Sequence, residues 1–255
     1  MNKEDDVMKQ EIKKTLSKKI TPSIKYFLFS LITIFMATSC LDDDGYSLDK
    51  FWIDYGVIEG TKESFTIVTD NGLVLFPSAT AISLEGLEDG MRVLVNYTIL
   101  GDATKPSEID HYVKINGMRK VLKKGIITLT PEIVDSIGND GVRIDNTWLT
   151  PTYDLLNIEF SYEGSPYHTH FINLVIDPED AVDDQGNVIL QLRHNKKGDP
   201  YTRPLLNSVA SFDLKSIRKE GTNEVGFRLK AKNIPGLEDY DQTGVYKYTE
   251  ETDSK

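Results

Sequence analysis

The sequence predicts an all-β protein, a small OB-like barrel followed by an immunoglobulin-like β-sandwich. Three observations predict it. Apolar and polar residues alternate at period two along most of the chain after residue 49, the pattern of half-buried strands. Five strand candidates crowd into the first part of that stretch, and about seven more follow with turn signals between them. Twelve tyrosines, ten phenylalanines and two tryptophans supply core material, while Cys40 is the only cysteine, so no disulfide can pin a sheet.

The first strand carries Phe51, Ile53, Tyr55 and Val57 on one face. Phe65 and Ile67 mark the second. Asp70-Asn71-Gly72 then reads as a tight hairpin, because Asn-Gly accepts positive φ at both central positions. Leu73 to Phe76 returns as the third strand. Val93, Val95, Tyr97 and Ile99 mark the fourth, and His111, Val113 and Ile115 the fifth. Residues 118–140 read as the junction, with a short helix capped by Thr130 and opened by Pro131. Strands then recur around Val142, Leu156 to Tyr162, His170 to Ile176, Val188 to Leu192, Ala210 to Leu214, Val225 to Ala231 and Val245 to Tyr248. The expected division is 1–39 signal peptide, 40–48 acidic tether, 49–125 barrel and 126–255 sandwich.

Tyr26 to Ala37 is an apolar run of 12 residues, too short to span a bilayer, which needs about 20. Lys13, Lys14, Lys18, Lys19 and Lys25 precede it, and Ala37-Thr38-Ser39-Cys40 closes it with small residues. This resembles a bacterial lipobox, which implies lipidation at Cys40 and membrane attachment through the acyl chains. Asp42, Asp43 and Asp44 resemble the surface-export signal of some Gram-negative lipoproteins. The expected address is the outer membrane at the cell surface, with the periplasmic face as the alternative.

The seven basic and four acidic residues before Cys40, taken from totals of 29 and 40, leave 22 against 36, a net charge of −14. Nucleic-acid binding rests on neutralising phosphates, so that charge argues against it. Lys114, Arg119, Lys120, Lys123 and Lys124 form a local basic run, read as a solvated strand end and linker.

The segments Phe51-Trp52-Ile53-Asp54-Tyr55-Gly56, Gly72-Leu73-Val74-Leu75-Phe76-Pro77 and Asn207 to Lys215, together with the signal and the acidic Asp42-Asp43-Asp44, resemble NigD-like lipoproteins. The resemblance implies an N-terminal OB-type domain, a C-terminal β-sandwich and an association with bacteriocin systems. It implies no catalytic motif.

Candidate chemistry is sparse. His168-Thr169-His170 places two imidazoles on one face of a strand, which can chelate zinc with a third ligand such as His194. The same face runs on into Ile172, Leu174 and Ile176, which fits a strand end at the rim of a core. The loop from Asp177 to Asn187 holds Asp177, Glu179, Asp180, Asp183 and Asp184, an oxygen-rich set that calcium favours, though not at EF-hand spacing. No metal or other cofactor is expected from these weak signals. Trp148, Tyr153, Tyr162 and Tyr167 are candidate ligand-binding aromatics, for stacking on sugars or anchoring a partner. Asp135-Ser136-Ile137 resembles an O-glycosylation sequon at Ser136. No nucleophile elbow, His-Glu-x-x-His or phosphate loop occurs, so the expected role is non-catalytic. The leading expectation is a binding accessory with a protein partner; the alternative is a glycan-binding accessory of a nutrient-uptake system.

Overall fold

The computed structural model describes residues 46–105 and 107–248. Cys40 and Asp42, Asp43 and Asp44 lie outside the described residues. Five strands close the barrel: β1 (Trp52–Thr61), β2 (Ser64–Thr69), β3 (Val74–Thr80), β4 (Arg92–Asp102) and β5 (His111–Lys120), in the order β1-β2-β3-β5-β4. β3 and β5 run parallel and the other neighbours antiparallel. All five expected barrel strands are present. Ile58, Ile67, Leu75, Val93, Val95, Val113 and Ile115 fill the interior with Tyr97.

One expectation about β1 changes. Phe51, Ile53 and Tyr55 do share a face, but it is the outer one. Phe51 and Ile53 are 62% and 55% exposed, while Trp52 and Ile58 point into the core. Both registers of β1 carry apolar residues, so period two alone could not say which face turns inward. The hairpin at Asp70-Asn71-Gly72 also differs from its expected form, because only Gly72 has positive φ, at 85°. The Thr69 hydroxyl accepts from Leu73 N at 3.0 Å and shapes the turn, which frees Asp70 to point away.

The chain enters the sandwich at once. β6 (Leu122–Gly125) pairs with β12 (Leu205–Asp213), so the barrel ends at β5 and not at residue 125. β7 (Ile127–Thr128) then joins the opposite sheet beside β10 (Phe171–Ile176). The helix α1 spans only Val134–Ile137; Thr130 is not its cap, because Thr130–Ile133 forms a turn first. The remaining strands are β8 (Arg143–Thr150), β9 (Leu155–Glu163), β11 (Val188–Asn195), β13 (Glu224–Ala231) and β14 (Tyr240–Lys247). One sheet runs β14-β13-β11-β10-β7 and the other β6-β12-β9-β8.

Leu156, Ile158, Phe160, Leu174, Leu190, Phe212 and Leu229 pack between the sheets. The architecture is that of a sandwich, but its pairing is mixed. β6 with β12, β7 with β10 and β11 with β13 are parallel, whereas immunoglobulin sheets are antiparallel. Among the described residues no helix is long and apolar enough to cross a membrane.

Candidate functional site

β4 begins with Arg92, whose side chain has no exposure. Its guanidinium forks onto the Asp70 carboxylate, Nη1 to Oδ1 at 2.5 Å and Nη2 to Oδ2 at 2.6 Å. Both of these residues belong to the barrel. The sandwich supplies the rest. Nη2 also donates to Asn157 Oδ1 at 2.9 Å on β9, and Nε donates to Ser211 Oγ at 3.1 Å on β12. Trp148 Nε1 on β8 donates to Asp70 Oδ2 at 2.7 Å. The Tyr55 ring lies 5.5 Å from the guanidinium carbon and 5.2 Å from the Trp148 ring.

Side-chain alternation explains this arrangement. Asn157 and Ser211 are opposite one another in register and face away from the sandwich core, while Leu156, Ile158, Ala210 and Phe212 face into it. Polar residues on that outer face would ordinarily meet water. Here they meet Arg92, and Asn157 Nδ2 completes its own bonding to Thr150 Oγ1 at 2.9 Å and Trp148 O at 3.2 Å. Among the described residues no buried side-chain nitrogen or oxygen is left without a partner. A buried ion pair is tolerable only under that condition. Tyr153 adds a second link, donating to Glu59 Oε1 of the barrel at 2.6 Å; burial, then that bond, holds its phenol well above its ordinary pKa.

A groove of about 840 Å³ opens beside this joint. One wall is the Glu88–Met91 end of the loop before β4 together with Arg92; the other is β6 with the Asp213–Ser216 turn. Every residue of β6 is at least partly exposed, and its position at the end of its sheet leaves one strand edge unpaired among the described residues. Lys123 Nζ spans the groove to Gly90 O at 3.2 Å. Lys124 turns the other way, to Ile172 O at 2.9 Å and Asn173 Oδ1 at 2.8 Å, and burial lowers its pKa.

The four candidate aromatics do not form one surface. Trp148 shares the outer sheet face with Asn157 and Tyr153 joins it at the domain joint, whereas Tyr162 lies on the inner face with Phe160. Tyr167 is 94% exposed in the loop after β9. The basic run, read as solvent-facing linker, supplies Lys120, Lys123 and Lys124 to the groove wall.

His168 and His170 lie in the β9–β10 connection and not on the expected strand. His170 Nδ1 is 2.9 Å from His194 Nε2, and its Nε2 is 3.0 Å from Asp199 Oδ2. His194 Nδ1 sits 3.2 Å from Gly141 O. Burial would push the Asp199 carboxyl up, but the N–H groups of Tyr201 and Ser165, the His170 bond and the nearby His168 outweigh it and hold it at about 2. Burial pushes His194 below its ordinary value. Tyr162 packs over both imidazoles, 4.7 and 5.1 Å away. The cluster ties three loops together.

The acidic loop is likewise local structure. Asp177 accepts from Glu179 N, and Asp183 from Gln185 N and from both nitrogens of Asn187. Asp180 pairs with Lys230 Nζ at 3.0 Å. Among the described residues no three His, Cys, Asp or Glu side chains converge as a metal site requires, so the weak zinc and calcium candidates are not assembled. The Ser136 hydroxyl donates to Ile133 O at 2.8 Å on exposed α1.

Comparison with known proteins agrees with this architecture. A solved structure from Bacteroides vulgatus, of unknown function, superposes with a TM-score of 0.63 at 24% identity, covering 78% of this chain and 92% of its own. One from Parabacteroides distasonis, named as toxin related, gives 0.62 at 26% identity, covering 76% and 93%. A NigD-like immunity protein from Bacteroides caccae gives 0.60 at 18% identity, covering 80% and 99%. No curated protein matches the chain. The model of the NigD-like N-terminal OB domain matches residues 57–121, and that of the NigD-like C-terminal beta sandwich domain matches residues 125–243. With both domains matched in this order over most of its length, the chain belongs to the NigD-like family.

Proposed function

We propose that this protein is a non-catalytic lipoprotein of the outer membrane, displayed at the cell surface, that binds a protein partner in the groove between barrel and sandwich. The groove at a fixed domain joint carries this reading. Arg92 locks the two walls through partners on both domains, so the cleft is preorganised and little ordering is needed on binding. Clefts between domains are preferred places for ligands. Binding rather than catalysis is supported by the bonding of the buried polar side chains into structural networks. The address rests on the apolar run and Ala37-Thr38-Ser39-Cys40. An immunity-type role fits a protein partner, and one structural relative bears that name.

A photo-crosslinking residue at position 123, in the producing bacterium, should yield a defined adduct. The same residue at Lys62, exposed on the barrel, should not. Equal adducts from both positions, or none from position 123, would refute the groove. Cys40→Ala should release the protein from membranes; continued membrane fractionation would refute the lipid anchor.

A glycan reading has one specific support. Tyr201 lies 5.9 Å from the ring of His168, Tyr167 and Tyr201 are both exposed, and such rings can stack on sugars. Tyr167→Ala should then abolish a polysaccharide-induced rise in Tm.

A further inference from the structure

The groove's partner can be given a chemistry. We infer that the groove binds an extended, acidic segment of another protein, which adds a strand to the free edge of β6 and sets its carboxylates against the groove's lysines. This rests on the groove being the binding site proposed above.

Three observations carry it. β6 ends its sheet, so backbone N–H and C=O groups on its outer side have no strand partner among the described residues. Such an edge is a template for strand addition, where main-chain bonds give affinity and side chains give selectivity. The charge is right for an acidic guest. With Arg92 buried and neutralised by Asp70, four lysines line the groove against three acidic residues, in a chain whose mature part carries −14. Two of those acids are already occupied by backbone, Asp89 taking Gly60 N at 2.9 Å and Asp213 taking Lys215 N at 2.8 Å. Lys124 turns away from the groove to a carbonyl and an amide oxygen of the sandwich, which leaves Lys120, Lys123 and Lys215 to face a guest. The room is also right: at about 3.3 Å per residue, a strand alongside Leu122–Gly125 needs about four residues, and half-exposed Leu122 offers it an apolar contact.

Lysines on an edge strand ordinarily block association. They do so selectively. A second copy aligning its own β6 would bring Lys123 against Lys123, and like charges directly opposite are destabilising. A strand bearing Glu or Asp at alternate positions meets the opposite condition. The lysines thus exclude self-pairing and basic strands while admitting acidic ones.

The test uses residues 46–255, which contain all three hydrophobic clusters of the fold. Isotope-labelled protein is titrated with an acetylated peptide of alternating Glu and Val, and separately with one of alternating Lys and Val. The expected result is perturbation of the amides of 88–91 and 122–125 by the acidic peptide alone. Lys123→Glu with Lys215→Glu should weaken that binding at least tenfold while Tm is unchanged. Binding of both peptides alike, or acidic binding indifferent to the reversals, would overturn the acidic class and leave the groove standing as a site. Absence of any groove perturbation would overturn strand addition, while the crosslink at position 123 independently reports on the groove itself. Tighter peptide binding by a chain ending at Tyr248 would assign the edge to the chain's own Glu250-Glu251-Thr252-Asp253 and overturn an external partner.

Discussion

Arg92 and His170 each face a carboxylate in a buried setting, but they make different kinds of joint. Arg92 carries a permanent charge, and its partners come from two domains. Asp70 neutralises it, and Asn157 and Ser211 use the donors left over. The His170 cluster lies within one domain and depends on protons. Its three contacts, to Asp199, between the two imidazoles and to Gly141 O, each need one proton. Two neutral imidazoles carry two. Burial opposes adding a further proton to this cluster at His194. The difference teaches where this fold keeps its fixed geometry and where it keeps its sensitivity to conditions. The domain joint rests on a permanent charge, and the loop joint holds an imidazole, His194, whose charge burial opposes.

The largest way to break the contrast is Arg92→Ala. It strands Asp70, Asn157 and Ser211 together, and removing one partner of a buried pair costs about 3–5 kcal/mol. Urea unfolding should show that loss; a change under about 1 kcal/mol would mean that water replaces the guanidinium and that the joint is not held by it. Trp148→Phe keeps the ring against Tyr55 and removes only the bond to Asp70. A hydrogen bond to a charged group contributes about 1.5–3 kcal/mol, so a loss in that range is expected in the same assay.

His194 lies below its ordinary pKa in the fold, because burial opposes its charge. The unfolded imidazole takes up a proton near pH 6.5, while the folded one resists. Between those values the unfolded state binds more protons, so stability rises with pH and falls on acidification below about 6.5. His194→Gln should flatten the fall in Tm on acidification below about pH 6.5. An unchanged slope in His194→Gln would place the sensitivity elsewhere.

The smallest expected effect is Lys123→Glu. It sits on an exposed edge, and such changes stay within about 0.5 kcal/mol. Its unfolding midpoint should match the parent while peptide binding weakens. A large loss of stability would make Lys123 a structural clamp on Gly90 and not part of a binding wall.

Much of the fold was legible along the chain. Each barrel strand announced itself by alternation, and His111 to Ile115 and Val93 to Ile99 lie in strands as read. The site was less so. The basic run was visible, but its place in a groove was not, because Lys120, Lys123 and Lys215 meet only through the packing of β6 beside the barrel loop. Arg92 gave no signal at all. It follows a turn and precedes an apolar strand, as an exposed arginine would, and its partners lie 22, 65 and 119 residues away. The histidine spacing suggested a metal, whereas His170 turned to a third imidazole and a distant aspartate.

By itself the sequence determined the class of the fold, the order of its two domains, the number of barrel strands and the lipobox-like segment ending at Cys40. Those follow from residues near one another, since alternation and turn chemistry are properties of short stretches. Only the tertiary structure decided which face of β1 turns inward, that β6 joins the sandwich, that four strand pairs run parallel, and that Arg92 bonds to both domains. Each of these depends on what a distant segment offers. A strand's pattern says that one of its faces will be covered, and only packing selects the neighbour that covers it.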